Sequence, residues 1–183
     1  MSNIIIDQTL YKTRPNRANR SQIEMDTYDV LERLGIPYFR LDHDETPSIE
    51  ASYEVEKLLE IEIYKNLFLC NYQKTNFYLL MMPGRKKFRT KDLSKQINSS
   101  RLSFAEAEEM EKYLKIKPGS VSVLGLMNDE SNYVQLLIDK DVLHCEYIGC
   151  HPCVNTSSLK IRTADLLTKF LPHTGHEPVM VEL

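Results

Sequence analysis

Five nitrogen or sulfur donors stand within ten residues of this chain: His144, Cys145, Cys150, His151 and Cys153. Imidazole and thiolate at that density are zinc ligands, and Cys150-x-x-Cys153 also has the spacing of a thiol redox couple. Structural zinc needs a second, separated pair of ligands. His173 and His176 could supply one by count. Cys145, however, alternates with apolar neighbours, as a small buried residue does. A thioredoxin-type motif opens a helix directly after an apolar strand, whereas residues 154–161 are rich in Thr, Ser and Asn. The expectation is therefore no metal and no cofactor. Attention moves to His151-Pro152-x-Val154-Asn155-Thr156.

Other chemistry is sparse. There is no G-x-S-x-G elbow for a nucleophilic serine and no glycine-rich phosphate loop. The chain has only six glycines. Gly119 follows Pro118 and precedes Ser120-Val121-Ser122, a tight turn whose small residues could let backbone N–H groups face a ligand. An ordinary turn is the simpler account of those residues. Lys65 opens the apolar run Asn66-Leu67-Phe68-Leu69 and could carry its ammonium to a phosphate or carbonyl, or simply reach solvent. Two basic clusters could touch phosphates: Lys12, Arg14, Arg17 and Arg20, and then Arg85, Lys86, Lys87, Arg89 and Lys91. A solvated face is the bland reading of each.

These residues need elements to hold them. Residues 1–20 read as a basic arm, and 21–183 as one domain. A helix is expected from Asp26 as N-cap, with Tyr28, Val30, Leu31 and Leu34 inward, ended by Gly35 and Pro37. Residues 38–43 alternate as a strand, and 49–59 form a helix. Residues 65–71 and 76–82 are strands joined by a hairpin loop. A helix covers 90–97, and another starts at the capping box Ser103-x-x-Glu106. Strands follow at 121–126, 134–139 and 142–148, with 155–161 open between strand and cap. A helix spans 163–170 with Thr163 as N-cap, and 178–183 is the last strand. The pattern predicts an α/β protein of the α+β type, with a mixed, mostly antiparallel sheet of six or seven strands and flanking helices.

Composition bounds the function. The chain has 183 residues, is 42% hydrophobic and 27% charged, and carries a net charge of −3. That balance belongs to a globular domain with a full core and argues against broad, non-specific nucleic-acid binding. No apolar run approaches the roughly 18 residues of a membrane helix. The N-terminus lacks a signal peptide's pattern, so a cytoplasmic location is expected, with no membrane partner.

Six short motifs occur in order: Lys65-Asn66-Leu67-Phe68-Leu69, Arg101-Leu102-Ser103-Phe104-Ala105, Lys117-Pro118-Gly119-Ser120-Val121-Ser122, Met127-Asn128-Asp129, His151-Pro152-x-Val154-Asn155-Thr156 and Gly175-His176-Glu177-Pro178-Val179. This series resembles the free-standing prolyl-tRNA editing proteins, relatives of the editing domain of bacterial prolyl-tRNA synthetase and of the YbaK-type deacylases. The resemblance runs from about Asp26 to Leu183. It implies the YbaK-like fold and hydrolysis of mischarged tRNA in trans, with alanyl-tRNA(Pro) as substrate. Alternatives within it are another small amino acid, or a catalytically weak regulator that binds tRNA or synthetase. The size logic is that a pocket built for proline cannot refuse the smaller alanine, so a second site must remove it.

The resemblance also implies roles. Lys65 matches the family's functional lysine, and Gly119–Val123 its G-x-x-x-P loop, whose N–H groups would hold the carbonyl. His151 would line the pocket. Asn66, Ser120, Val121, Ser122, Val123 and Asn155 would surround the substrate. Arg85, Lys86, Lys87 and Arg89 are candidates for tRNA phosphates. The partners implied are the acceptor end of mischarged tRNA and prolyl-tRNA synthetase. One departure is plain: Val123 stands where the family loop ends in proline.

Overall fold

The computed structural model describes residues 4–45, 49–62 and 64–183, and for 49–51 the backbone alone. The strand Phe77–Pro83 (β3 below) explains the architecture. Its first six residues, FYLLMM, are all buried, so both of its faces must be covered. Phe77, Leu79 and Met81 face the larger core. Tyr78, Leu80 and Met82 face a second core with Leu69, Leu93, Leu137 and Val181.

Among the described residues eight strands form two sheets. Tyr38–Asp42 is β1, Tyr64–Asn71 β2, Phe77–Pro83 β3 and Leu102–Phe104 β4. Val134–Asp139 is β5, Tyr147–Cys150 β6, Ser157–Arg162 β7 and Val179–Val181 β8. One sheet has the order β4-β2-β3-β5-β8, the other β1-β7-β6. In the larger sheet β3 pairs antiparallel with β2 and parallel with β5. The smaller sheet is antiparallel throughout. The α+β class holds, but the single sheet of six or seven strands is corrected to two sheets. Alternation gives each strand two faces without saying which strands share a sheet.

Helices flank the sheets at Gln22–Arg33 (α1), Ile49–Leu59 (α2), Thr90–Gln96 (α3) and Ala107–Leu114 (α4). α1 begins ahead of the expected start, because Ser21 rather than Asp26 caps it by accepting from the Glu24 N–H. Met25, Tyr28 and Leu31 enter the main core. Val55 and Leu59 of α2 pack with Leu41 on the other side of the small sheet. The capping box before α4 is Glu106 with Glu109. Ser103 lies instead in β4, drawn into register with β2 opposite Cys70.

Two expected strands are helical turns. Val123–Asn128 is a 3-10 helix capped by the Ser122 hydroxyl. Val123, Leu124, Gly125 and Leu126 are all buried there, a pattern in which periodicity cannot tell strand from helix. Lys140–His144 is a second 3-10 helix, capped by Asp139, so the strand read over 142–148 begins only at β6. The C-terminal helical run is α-helical over Thr163–Asp165, π-helical over Leu166–Phe170 and α-helical over Leu171–Thr174. Arg162 is its N-cap, and the Thr163 hydroxyl donates to the Cys145 carbonyl at 2.6 Å.

The N-terminal residues lie along the free edge of β1. Bridges join Ile6 to His43 and Tyr11 to Arg40. Arg20 pairs with Glu24 and Asp42, and Arg40 with Asp42. Arg14 reaches Asp29 and Glu32 on α1. Among the described residues no helix is long and apolar enough to cross a membrane.

Candidate functional site

A cavity of about 260 Å³ opens where the two sheets and α2 meet. Ser52, Val55 and Glu56 of α2 form one wall, with Ile61 beyond it. Tyr64 and Asn66 of β2 form the next, and Gly119 and Val121 the loop side. Gly149, Cys150, His151 and Ser158 complete it from β6 and β7. The volume lies just below the roughly 300–1,000 Å³ of sites for drug-sized ligands. It suits a small acyl group.

Side-chain alternation along β2 decides which residues reach the cavity. Tyr64 and Asn66 face it. Lys65, between them, is turned to the other face, where its Nζ donates to the Lys86 carbonyl at 3.2 Å. There it lines a separate groove of about 880 Å³ with Leu67, Lys87, Phe88, Arg89 and Phe104. The lysine read as catalytic therefore does not meet Gly119 or His151 in this structure.

Two polar atoms of cavity-lining residues are closed off without a well-formed hydrogen bond among the described residues: Asn66 Oδ1, and the Tyr64 hydroxyl, whose neighbour is the Cys145 thiol. An unpaired buried polar atom costs about 1–3 kcal/mol, and neither atom is open to the cavity in this structure. Burial, with the neighbouring Cys145 thiol, pushes the Tyr64 phenol well above its ordinary pKa, so it stays a hydroxyl.

The loop side is a turn of type II character. The Ser120 N–H closes onto the Lys117 carbonyl at 3.1 Å, with Pro118 and Gly119 at the centre and Gly119 at φ +87°. The Ser120 N–H is thus spent. The N–H groups of Gly119 and Val121 have no acceptor among the described residues, and both residues line the cavity. A Cβ on Gly119 would lie 3.4 Å from the Asn155 Nδ2, so Asn155 packs against the turn. Ser122 and Val123 do not line the cavity. Both are fully buried, as cap and first residue of the 3-10 helix.

His151 follows β6, and its Nδ1 lies 2.9 Å from the Ser157 carbonyl. A carbonyl only accepts, so Nδ1 carries the proton and Nε2 the lone pair. Burial pushes its pKa below the usual imidazole value of 6.5, against the opposing pull of that carbonyl. The ring is neutral near pH 7. Burial likewise pushes the thiols up, Cys153 to about 12 and Cys150 further, so neither is a thiolate at neutral pH.

The basic cluster divides. Lys86 is held by Asp139 at 3.0 Å and Asp141 at 2.8 Å. Arg85 lies in a shallow groove among Glu56, Glu60 and Glu62. Lys87 and Arg89 are exposed and share the groove with Lys65.

The aminoacyl-tRNA editing domain model matches residues 43–169. The chain belongs to the aminoacyl-tRNA editing domain family. A prolyl-tRNA editing protein, ProX, of Acetoanaerobium sticklandii is 34% identical, over 84% of this chain and 93% of that protein. The prolyl-tRNA synthetase associated domain-containing protein 1 of Danio rerio is 29% identical, over 84% of this chain and 83% of its own. A crystal structure of a candidate trans-editing enzyme for prolyl tRNA synthetase superposes with a TM-score of 0.64 at 16% identity. It covers 90% of this chain and 99% of that one, and shares the fold.

Every residue that lines the cavity lies inside the editing-domain match. The sequence reading did not single out Tyr64, Gly149, Ser158 or the α2 wall as site residues. Gly149 carried a usable signal, being one of six glycines and directly after the strand read over 142–148. A Cβ there would come within 2.4 Å of the Ile61 Cδ1. Tyr64 and Ser158 carried none, since each reads as an ordinary strand residue.

Proposed function

We propose that this protein hydrolyses the ester of mischarged tRNA in trans, with alanyl-tRNA(Pro) as its substrate. The observation that carries this reading is the small cavity inside the editing-domain span, lined by Tyr64, Asn66 and His151 and by the Gly119 loop with its free N–H groups. An alanyl group fits such a volume. In this reading Asn66 lines the wall against the aminoacyl group, and the Gly119 and Val121 N–H groups take the ester carbonyl. As that oxygen gains charge in the transition state, donors fixed in advance stabilise it without reorganising. His151 Nε2 accepts a hydrogen bond from the free ribose hydroxyl next to the ester and so fixes the terminal nucleotide. Asn155 holds the turn that aims the donors.

Lys65 acts in this reading outside the chemical pocket. With Lys87 and Arg89 it presents cations to the phosphates of the acceptor end. Lys86, neutralised by two aspartates, contributes structure rather than charge. The protein then works in the cytoplasm beside prolyl-tRNA synthetase, which makes the error it removes. The test is deacylation of several purified mischarged tRNAs, alanyl-tRNA(Pro) first. Selective loss of alanine from that tRNA is expected, and equal inactivity on all of them would overturn the reading.

A further inference from the structure

Ser158 lies in the cavity wall with an unusual partner behind it. His43, the residue after β1, places its Nε2 2.9 Å from the Ser158 Oγ. Its Nδ1 lies 2.7 Å from the Asp44 carbonyl oxygen. That carbonyl can only accept, so Nδ1 holds the proton and Nε2 is the basic nitrogen. The serine hydroxyl therefore donates to His43, which leaves the Ser158 oxygen lone pairs for the cavity. Both residues are 7% exposed. The arrangement is a serine bonded to an imidazole that is itself oriented by a third group, the geometry of base-assisted catalysis.

We propose that Ser158 and His43 form a proton relay that activates the attacking water in this cavity. The proposal rests on the deacylase reading and adds the group that takes the proton. Water donates to the Ser158 Oγ, and its oxygen bonds to the ester carbonyl carbon. As it does so the water proton passes to Ser158, and the Ser158 proton passes to His43 Nε2. The tetrahedral intermediate then collapses and breaks the bond to the ribose oxygen. The proton returns from His43 through Ser158 to that oxygen, which leaves as a hydroxyl. Free amino acid and intact tRNA result, and serine and histidine end as they began. Ser158 touches the reacting water, whereas His43 acts through it as a positioning residue and proton store.

The charges around His43 are Asp42 and Asp44 beside it in sequence, the His151 ring 6.5 Å away, and Asp7, Arg20 and Glu24 around the cavity on its arm side. Burial outweighs the nearby carboxylates and lowers its pKa, so it is unprotonated near neutrality.

The test measures single-turnover deacylation of alanyl-tRNA(Pro) against pH for the wild type, Ser158→Ala, Ser158→Thr, His43→Gln and His151→Gln, with a thermal unfolding midpoint for each. Ser158→Ala and His43→Gln should lower the rate constant about 100-fold, the scale of general base catalysis, with substrate affinity kept. Ser158→Thr, which keeps the hydroxyl, should retain most of the rate. The wild-type rate should fall on the acid side, and that fall should persist in His151→Gln. A wild-type rate in folded Ser158→Ala would overturn the relay and leave the deacylase reading standing. Should Ser158→Ala fail to fold, the acid limb decides: its loss in His151→Gln would overturn the relay as well. A wild-type protein inactive on every aminoacyl-tRNA would overturn the deacylase reading itself.

Discussion

Lys65 and Asn66 are neighbours in sequence and work on opposite faces of β2. Lys65→Ala should therefore weaken tRNA capture more than chemistry. The expected result is a several-fold rise in KM that shrinks at high salt, with kcat largely kept; a collapse of kcat would place Lys65 at the reacting ester. Gly119 is the opposite case. Its φ of +87° strains any residue with a Cβ, which would also come into contact with the Asn155 amide. Gly119→Ala should cost about 1–2 kcal/mol and lower kcat, read by urea unfolding and single-turnover rates on one sample. The buried cysteines carry a prediction about packing. Serine at 150 and 153 would bury hydroxyls among apolar neighbours, at about 1–3 kcal/mol each where unbonded, while alanine at both should keep activity. Strong loss of deacylation in the folded double alanine variant would return the thiols to the mechanism.

At the scale of elements, the Lys117–Ser120 turn and the 3-10 helix after it form one unit. Val123 stands where the resemblance implies a proline, and it is the first residue of that helix. Proline is tolerated at a first helical position because no N–H is needed there. Val123→Pro should fold with a melting temperature near that of the wild type and retain deacylation; unfolding would show that the buried Val123 side chain has no substitute. The N-terminal residues act as an added edge for β1, with backbone bonds from Asp7 and Tyr11 to Asp42 and Arg40. Deleting residues 1–20 should lower the melting temperature by about 5–10 °C, the effect of a few kcal/mol in a domain of this size. An unchanged melting temperature would make the arm an appendage.

For the whole molecule, the buried His43 and the half-buried His151 couple stability to pH. Burial lowers the pKa of His43 and His151 below 6.5. The unfolded chain then binds protons more readily than the folded one, so their contribution is full above about pH 6.5 and is lost as pH falls through the folded values. Asp42 works in the same direction at lower pH. Burial alone would raise its pKa, but Arg20 and Arg40 pull it below 3.8. Glu24, raised by burial, opposes them. Urea midpoints should drop between pH 7.5 and 5.5, and the drop should be smaller in His43→Gln. A flat profile would mean that neither histidine is shielded from solvent as the structure has it.

The sequence by itself determined the α+β class, the bounds of α2, the apolar strand β3 and the motifs that mark the family. These are local: periodicity, turn residues and short ordered signatures sit on contiguous residues. It also placed Gly119, Asn66 and His151 among the site candidates. Tertiary structure alone decided which face of β2 reaches the cavity, that the strands divide into two sheets, and that Asn155 backs the Gly119 turn. It also joined His43 to Ser158, residues separated by 115 positions. Alternation along a strand names two faces but not what each one meets. That assignment follows only once sheets and helices have packed, and it moved Lys65 out of the pocket and brought Tyr64 and Ser158 into it.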